Sequence, residues 1–304
     1  YNGSLALTLR SAAPDAIYYT RDYLTLSAAR YYKPSRSIFW EVHSLASTPR
    51  KRQMQAATAR QLGGVITITQ HMADALIELG VDADRVMVAP DGIRAERFSH
   101  MPARSEARAA LGLPEDAFMV GYMGRLHTLN MGKGVDTIVQ AIAARPEKPL
   151  HLLLVGGPDD MIEEYCALWR SLGLPEERFH GFGAVPSAEV PGALAAFDVA
   201  VMPFPWTEHF AYYASPLKLF EYMASERPIV ATALPSTQEI VTDGENALLV
   251  PPSDVNGLAD ALVRLYDDPA LGQRLAAAAR QEVFARYTWA ARAADIMAFI
   301  ARHA

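Results

Sequence analysis

The sequence predicts an α/β protein with two Rossmann-like, doubly wound domains facing a cleft. Short apolar runs rich in Val and Ile alternate with helical stretches along nearly the whole chain. The runs are continuously apolar rather than alternating, as expected of parallel strands covered on both faces. The pattern occurs twice, with a break near residues 92–100, where PDGIRAERF carries turn chemistry. A chain of 304 residues, 51% apolar, suffices for two such cores.

The first domain is placed at residues 1–96. Its strands are IYYT (17–20), SIFWEV (37–42), VITIT (65–69) and VMVA (86–89), with a helix expected over 2–11. A doubly wound domain ordinarily opens on a strand and a phosphate-approaching turn. That opening is missing from the pattern, so the first domain is expected to be N-terminally truncated. The second domain is placed at 97–285, with strands MVGYMG (119–124), LHLLLVG (150–156), RFHGF (178–182), VAVMPF (199–204), PIVAT (228–232) and ALLVPP (247–252). Helices over 254–267, 270–286 and 288–302 follow with no strand between them, and residues 286–304 are expected to pack back on the first domain.

The net charge of −6 argues against general nucleic-acid affinity. Residues 1–95 carry +3 and the remainder −9, so a mildly basic part precedes an acidic one. The single cysteine, Cys166, allows no internal disulfide and suits a reducing, cytoplasmic setting. No apolar run approaches the roughly 18 to 20 residues that span a bilayer. TPRKRQMQAATAR (48–60) is basic and helical, with Met54, Ala57 and Leu62 on or near one face. It reads either as a peripheral contact with anionic lipid at the inner face of a membrane or as a solvated charged helix.

Ligands of open parallel sheets bind beyond the carboxyl ends of the strands. There MVGYMG is followed by Arg125 and then, across HTLNMGKG, by Lys133 at the start of a helix. Gly121 and Gly124 leave room for close backbone approach to a ligand. An arginine and a lysine beside a helix N-terminus suit a diphosphate. SPLKLFEYMA (215–224) repeats the arrangement after VAVMPF: Ser215 is read as N-cap and Pro216 as the first helical residue. Lys218 in the first turn and Glu221 three residues on share a face, so Glu221 is placed to accept hydrogen bonds from a ribose diol. The alternative is a Lys–Glu pair on a solvated face. The GKG stretch lacks the rest of a Walker A loop, and no GxGxxG follows a strand.

MVGYMGR…KGVDTIVQAI, LHLLLVGGP, HGFGAVPSAEVPGAL, FDVAVMPF, SPLKLFEYMASERPIVAT and NALLVPPSD, in this order, resemble the family 4 retaining glycosyltransferases of the GT-B fold, the glycosyl transferases group 1. EVH (41–43) and VMVAPDGIRAERF (86–98) resemble that family's first domain. The resemblance implies a donor, a nucleotide-diphosphate sugar, carried on the second domain. Arg125 and Lys133 would neutralise its diphosphate, and Glu221 would bind the ribose. Backbone around Ser215, Pro216 and Leu217 would hold phosphate and sugar hydroxyls, Gly124 would line the donor, and Val185 would present backbone groups to the base. His43 matches the active-site histidine near the donor sugar. The first glutamate of the family's E-x7-E motif is replaced by Tyr213, which leaves Glu208, His209 and Tyr213 as candidates for sugar contacts. Against the family pattern, roughly the first 80 residues of the first domain are missing.

The implied reaction is transfer of a sugar to a hydroxyl acceptor of unspecified type, with retained anomeric configuration. No metal or other cofactor is expected, because cations already face the diphosphate. Asp82 and Asp84 in DAD read as turn chemistry. Two other readings remain: a nucleotide-sugar-binding partner or regulatory subunit without turnover, and a GT-B nucleotide-sugar epimerase.

Overall fold

The structure, a computed structural model, describes Ser11, Ala13, residues 15–128 and residues 131–304, with only the backbone of Ser27. The helix expected over 2–11 lies outside the described residues apart from Ser11.

The chain divides into two units. The smaller takes residues up to Asp91, Tyr212–Ser215 and Trp289–Ala304. Its elements run β1 (Tyr18–Thr20), α1 (Tyr23–Tyr32), β2 (Ile38–Val42), α2 (Pro49–Ala59), β3 (Gly64–Thr67), α3 (Gln70–Glu78) and β4 (Val86–Val88). The strands form one parallel sheet in chain order, β1-β2-β3-β4, with Trp40 opposite Val65 and Ile66 opposite Met87. Alternation along β2 sorts its side chains. Ile38, Trp40 and Val42 join a core with residues of α1, α2 and α3. Phe39 packs on the opposite face with Ile66, and with Ile296, Phe299 and Ile300 of the C-terminal helix.

The larger unit takes Gly92–Ala211 and Pro216–Thr288. It runs α4 (Arg104–Ala110), β5 (Phe118–Met123), β6 (His127–Thr128), β7 (Met131–Gly132), α5 (Val135–Ala143), β8 (Leu150–Val155), α6 (Asp159–Ser171), β9 (Phe179–Phe182), α7 (Val190–Ala195) and β10 (Val199–Met202). Then come α8 (Leu217–Ala224), β11 (Ile229–Thr232), α9 (Pro235–Gln238), β12 (Leu248–Val250), α10 (Val255–Asp267) and α11 (Pro269–Arg286), while α12 (Trp289–His303) belongs to the smaller unit. Six parallel strands lie in the order β12-β11-β10-β5-β8-β9. The chain therefore builds outward from β5 in one direction, returns, and builds outward again from β10. The point between β5 and β10 is where an open sheet of this kind makes its ligand crevice. Val120, Tyr122, Leu152, Leu154, Val201 and Val230 fill the core beneath α5 and α10.

The expected strands all form, most with ends trimmed by a residue or two. The antiparallel hairpin β6–β7, pairing His127 with Gly132 and Thr128 with Met131, has no counterpart in the sequence reading. Two further readings are corrected. Gly121 does not open the backbone to a ligand: the ring of Phe197 covers it, and a Cβ there would stand 2.1 Å from that ring. Ser215 does not cap α8, which begins at Leu217 with Pro216 as N-cap. The Ser215 hydroxyl instead accepts the backbone N–H of Asp91 at 2.8 Å. Among the described residues no helix is long and apolar enough to cross a membrane. In α2, Met54 is exposed while Leu62, just beyond the helix, is fully buried, so the two share no exposed face.

Candidate functional site

Beyond the carboxyl end of β5 the chain turns at Gly124, whose φ is +128°, a value that favours glycine. A Cβ at this position would meet Nζ of Lys218 at 3.3 Å. Arg125 follows and is exposed. The backbone N–H of Lys133 donates to the Leu126 carbonyl at 3.1 Å, closing the base of the hairpin. Gly134, in left-handed conformation, is the N-cap of α5. Arg125, Lys133 and the first turn of α5 thus stand together at the switch point.

The two lysines are not solvated surface cations. Lys133 is 9% exposed. Its ammonium lies 4.6 Å from the Phe204 ring centroid and 4.5 Å from that of Phe210. Burial, and secondarily the like charge of Arg125, lower its pKa to about 8. Lys218 projects from the first turn of α8, half-buried, with Nζ 3.7 Å from the Tyr122 ring centroid and 5.2 Å from that of Phe204. It donates a hydrogen bond to the Tyr122 hydroxyl rather than pairing with Glu221. Burial pushes the Lys218 ammonium well below its ordinary range, Lys133 adds to that, and Glu221 opposes it. Tyr122 in turn donates to the Arg125 carbonyl at 2.8 Å. The Tyr222 hydroxyl accepts the Met123 N–H at 2.9 Å and fastens α8 to the end of β5.

Glu221 is half-buried, and its carboxyl is raised by burial against the lowering influence of Arg97 and Lys218. Such a carboxylate gains from neutral hydrogen-bond donors. Val185 is half-buried in the loop after β9, and Leu217 is half-exposed at the start of α8. The stretch after β10 closes into a π-helical turn over His209–Tyr213. In it, His209 lies against Phe210, and its pKa is lowered by burial and by Lys133. Glu208 is exposed. Tyr213 belongs to the smaller unit, where its hydroxyl takes a 3.4 Å hydrogen bond from Arg52.

His43 also lies in the smaller unit, just past β2, in a cluster of its own. Its Nε2 is 2.5 Å from Oε1 of Glu41, and its Nδ1 is 3.1 Å from Nη2 of Arg21. Glu41 is 4% exposed, takes a hydrogen bond from Tyr19, and pairs with Arg292 of α12 at 3.2 Å. Burial would raise the Glu41 carboxyl, but His43 and Arg292 outweigh it and hold it below its ordinary value. Nearby Asp91 is raised by burial.

The structure thus gathers Gly124, Arg125, Lys133, Lys218 and Glu221 in the larger unit, and gives His43 its own set of partners in the smaller. The sequence reading missed the aromatic floor of Phe204 and Phe210, the Tyr122 and Tyr222 fastenings, and the Glu41–Arg292 pair. Of these, only Glu41 had a local signal, since residues two apart on a strand share a face. Among the described residues no three His, Cys, Asp or Glu side chains gather as metal ligands, and Asp82 of DAD accepts the Asp84 N–H in a turn.

Two Rossmann-like domains with parallel sheets are the fold class of the GT-B glycosyltransferases. Solved structures of that class superpose on nearly the whole chain. Anabaena HepE in complex with UDP gives a TM-score of 0.79 at 21% identity, covering 99% of this chain and 82% of that one, a likeness of fold. Sucrose-phosphate synthase from Thermosynechococcus elongatus gives 0.76 at 25% identity, covering 98% and 75%. Residues 117–268, half of the chain, match the family described as Glycosyl transferases group 1, and the chain belongs to that family. Its curated relatives include D-inositol 3-phosphate glycosyltransferases. That of Stackebrandtia nassauensis is 32% identical over 246 residues, covering 77% of this chain and 52% of that protein. That of Actinosynnema mirum is 33% identical over 247 residues, covering 76% and 56%. The chain spans about half the length of these relatives.

Proposed function

We propose that this chain transfers a sugar from a nucleotide-diphosphate sugar to a hydroxyl acceptor, with retention at the anomeric carbon, as a family 4 type enzyme. One observation carries the reading. Lys133 and Lys218 keep two ammoniums against an aromatic floor, with Arg125 beside them and Glu221 as the nearby carboxylate. That excess of positive charge at a sheet's switch point, next to the start of a helix, suits a diphosphate. As the bond from the anomeric carbon to the diphosphate oxygen breaks, negative charge grows on the leaving group. The cations stabilise it there while the sugar passes through an oxocarbenium-like state. The acceptor hydroxyl then forms the new bond to the anomeric carbon and passes its proton to the leaving diphosphate oxygen. His43 is the group proposed to touch the donor sugar, and Glu221 the one that takes the ribose. The HepE neighbour solved with UDP supports a nucleotide of this kind.

The test is a thermal-shift panel of UDP, GDP, ADP and TDP, followed by transfer assays with the sugar nucleotide of the base that binds. A ligand bound only by the folded state raises the melting temperature. A shift with one nucleotide and transfer from its sugar are expected. A shift without transfer would favour a binding subunit, and no shift would remove the donor-site reading. Within this reading Glu221→Ala should weaken UDP by about tenfold, the scale of 1.5 kcal/mol for a hydrogen bond to a charged group, while leaving inorganic diphosphate unchanged. Equal losses for both in titration calorimetry would contradict the ribose role.

A further inference from the structure

His43 has both ring nitrogens engaged, and its two partners differ in kind. Arginine has only donors, so the His43 Nδ1 facing Arg21 at 3.1 Å must be the acceptor. A neutral imidazole then carries its proton on Nε2, which faces Glu41 at 2.5 Å, and a carboxylate is an acceptor. The geometry assigns to Glu41 the role of positioning residue for His43: it fixes the Nε2-protonated tautomer and so reserves Nδ1 as the acceptor for a ligand hydroxyl. This rests on the reading of His43 as a donor-sugar contact.

The two sides of the ring are built differently. Glu41 is held from several directions. Strand β2 sets its backbone, Tyr19 donates to it, and Arg292 pairs with it at 3.2 Å. Arg292 is itself anchored, its Nε donating to the Ala89 carbonyl at 3.2 Å and to the Pro90 carbonyl at 3.0 Å. Its pairing also keeps the buried carboxyl ionised against the cost of burial. Arg21 bridges the pair, with Nη2 on Nδ1 of His43 and Nε 3.9 Å from Oε1 of Glu41, but its side chain is 65% exposed and it is the partner able to swing away. A sugar hydroxyl can therefore replace Arg21 at Nδ1, while Glu41 stays on Nε2 and keeps the ring from flipping. A carboxylate that fixes the far nitrogen of a histidine sets both tautomer and ring orientation. The alternative is that Glu41 only neutralises Arg292. The tautomer of His43 separates the two roles.

The experiment is 15N-resolved NMR of the histidine rings in the full chain, with His43→Ala supplying the assignment. Release of UDP from UDP-glucose is measured alongside. Wild type should show His43 as the single Nε2-protonated tautomer. With Arg21→Ala in the background, so that no fixed donor faces Nδ1, Glu41→Gln should populate both tautomers while Arg21→Ala alone keeps the single one, because an amide can turn either its oxygen or its nitrogen to the ring. The kcat of Glu41→Gln should fall at least tenfold with KM within twofold. Removing the carboxylate leaves Arg292 unpaired. If Glu41→Gln folds poorly, the paired variant Glu41→Gln with Arg292→Gln removes both charges and, in the same Arg21→Ala background, should show the same mixture of tautomers. In that background a folded Glu41→Gln variant that keeps the single wild-type tautomer overturns the positioning role. If His43→Ala releases UDP at the wild-type rate, the reading of His43 as a donor contact fails, whatever the tautomers show.

Discussion

Lys133→Met should make the unliganded protein more stable and a nucleoside diphosphate bind more weakly. The side chain is 9% exposed, and burial lowers its pKa from 10.5 to about 8. A shift of that size corresponds to about 3 kcal/mol disfavouring the folded state wherever the lysine is protonated in both states. The sign follows from proton counting. Between about pH 8 and pH 10.5 the unfolded chain holds a proton that the native lysine has lost, so native stability rises with pH across that window. Below pH 8 the full cost is present. Methionine fills similar space, carries no charge and keeps contact with the Phe204 and Phe210 rings, at the loss of a cation–π contribution of about 1 kcal/mol. The net expected gain is about 2 kcal/mol at pH 7, read as a rise of several degrees in melting temperature. The same substitution removes a charge-assisted contact to phosphate and should weaken UDP by about 10- to 150-fold. A variant less stable than wild type, or one that binds UDP equally well, would defeat the account of Lys133 as a cation stored for an anionic ligand.

Gly134→Ala should be among the most damaging single changes in the larger unit. The residue sits at φ +77°, which costs an L-residue roughly 1 to 2 kcal/mol. Its added Cβ would also stand 1.9 Å from the carbonyl oxygen of Pro203, a backbone atom with no rotamer to escape into. Either the start of α5 or the end of β10 must move, and Lys133 moves with it. The expected loss exceeds about 4 kcal/mol, with disappearance of the UDP-induced thermal shift in whatever folds. Gly132→Ala, two residues away, is the control. Among the described residues no atom lies within 4 Å of its added Cβ, and its φ is not positive, so it should change stability by less than about 0.5 kcal/mol. Chemical denaturation of the two variants side by side reads the difference.

The sheets were legible in the sequence because parallel strands buried on both faces must be apolar at every position, and runs such as LHLLLV and IVAT leave few alternatives. The β6–β7 hairpin was not, because two-residue strands hold no periodicity to detect. The positions of Arg125, Lys133, Lys218 and Glu221 at strand ends and helix starts could be read because the alternation of strand and helix fixes those points. What lay out of reach was long-range pairing. Ser215 before Pro216 has the chemistry of an N-cap, yet its hydroxyl goes to the backbone of Asp91, far away in sequence. Gly121 has the look of a ligand-facing glycine, yet Phe197 needs its space. The surroundings of His43 depend on Arg292, about 250 residues further on, which no local pattern could bring to Glu41.

The shared aromatic floor under Lys133 and Lys218 has a calorimetric consequence. An anion that settles on these ammoniums holds them protonated, so above neutrality its binding draws protons from the buffer. For Lys133 alone the uptake should be small at pH 7 and most of a proton by pH 9. Lys218, displaced in the same direction, adds to it. The heat of UDP binding should therefore differ between Tris and EPPS buffers near pH 8.5, by the difference in their ionisation enthalpies times the uptake at that pH. The nucleotide leaving at the end of a turnover would return the same protons to solvent.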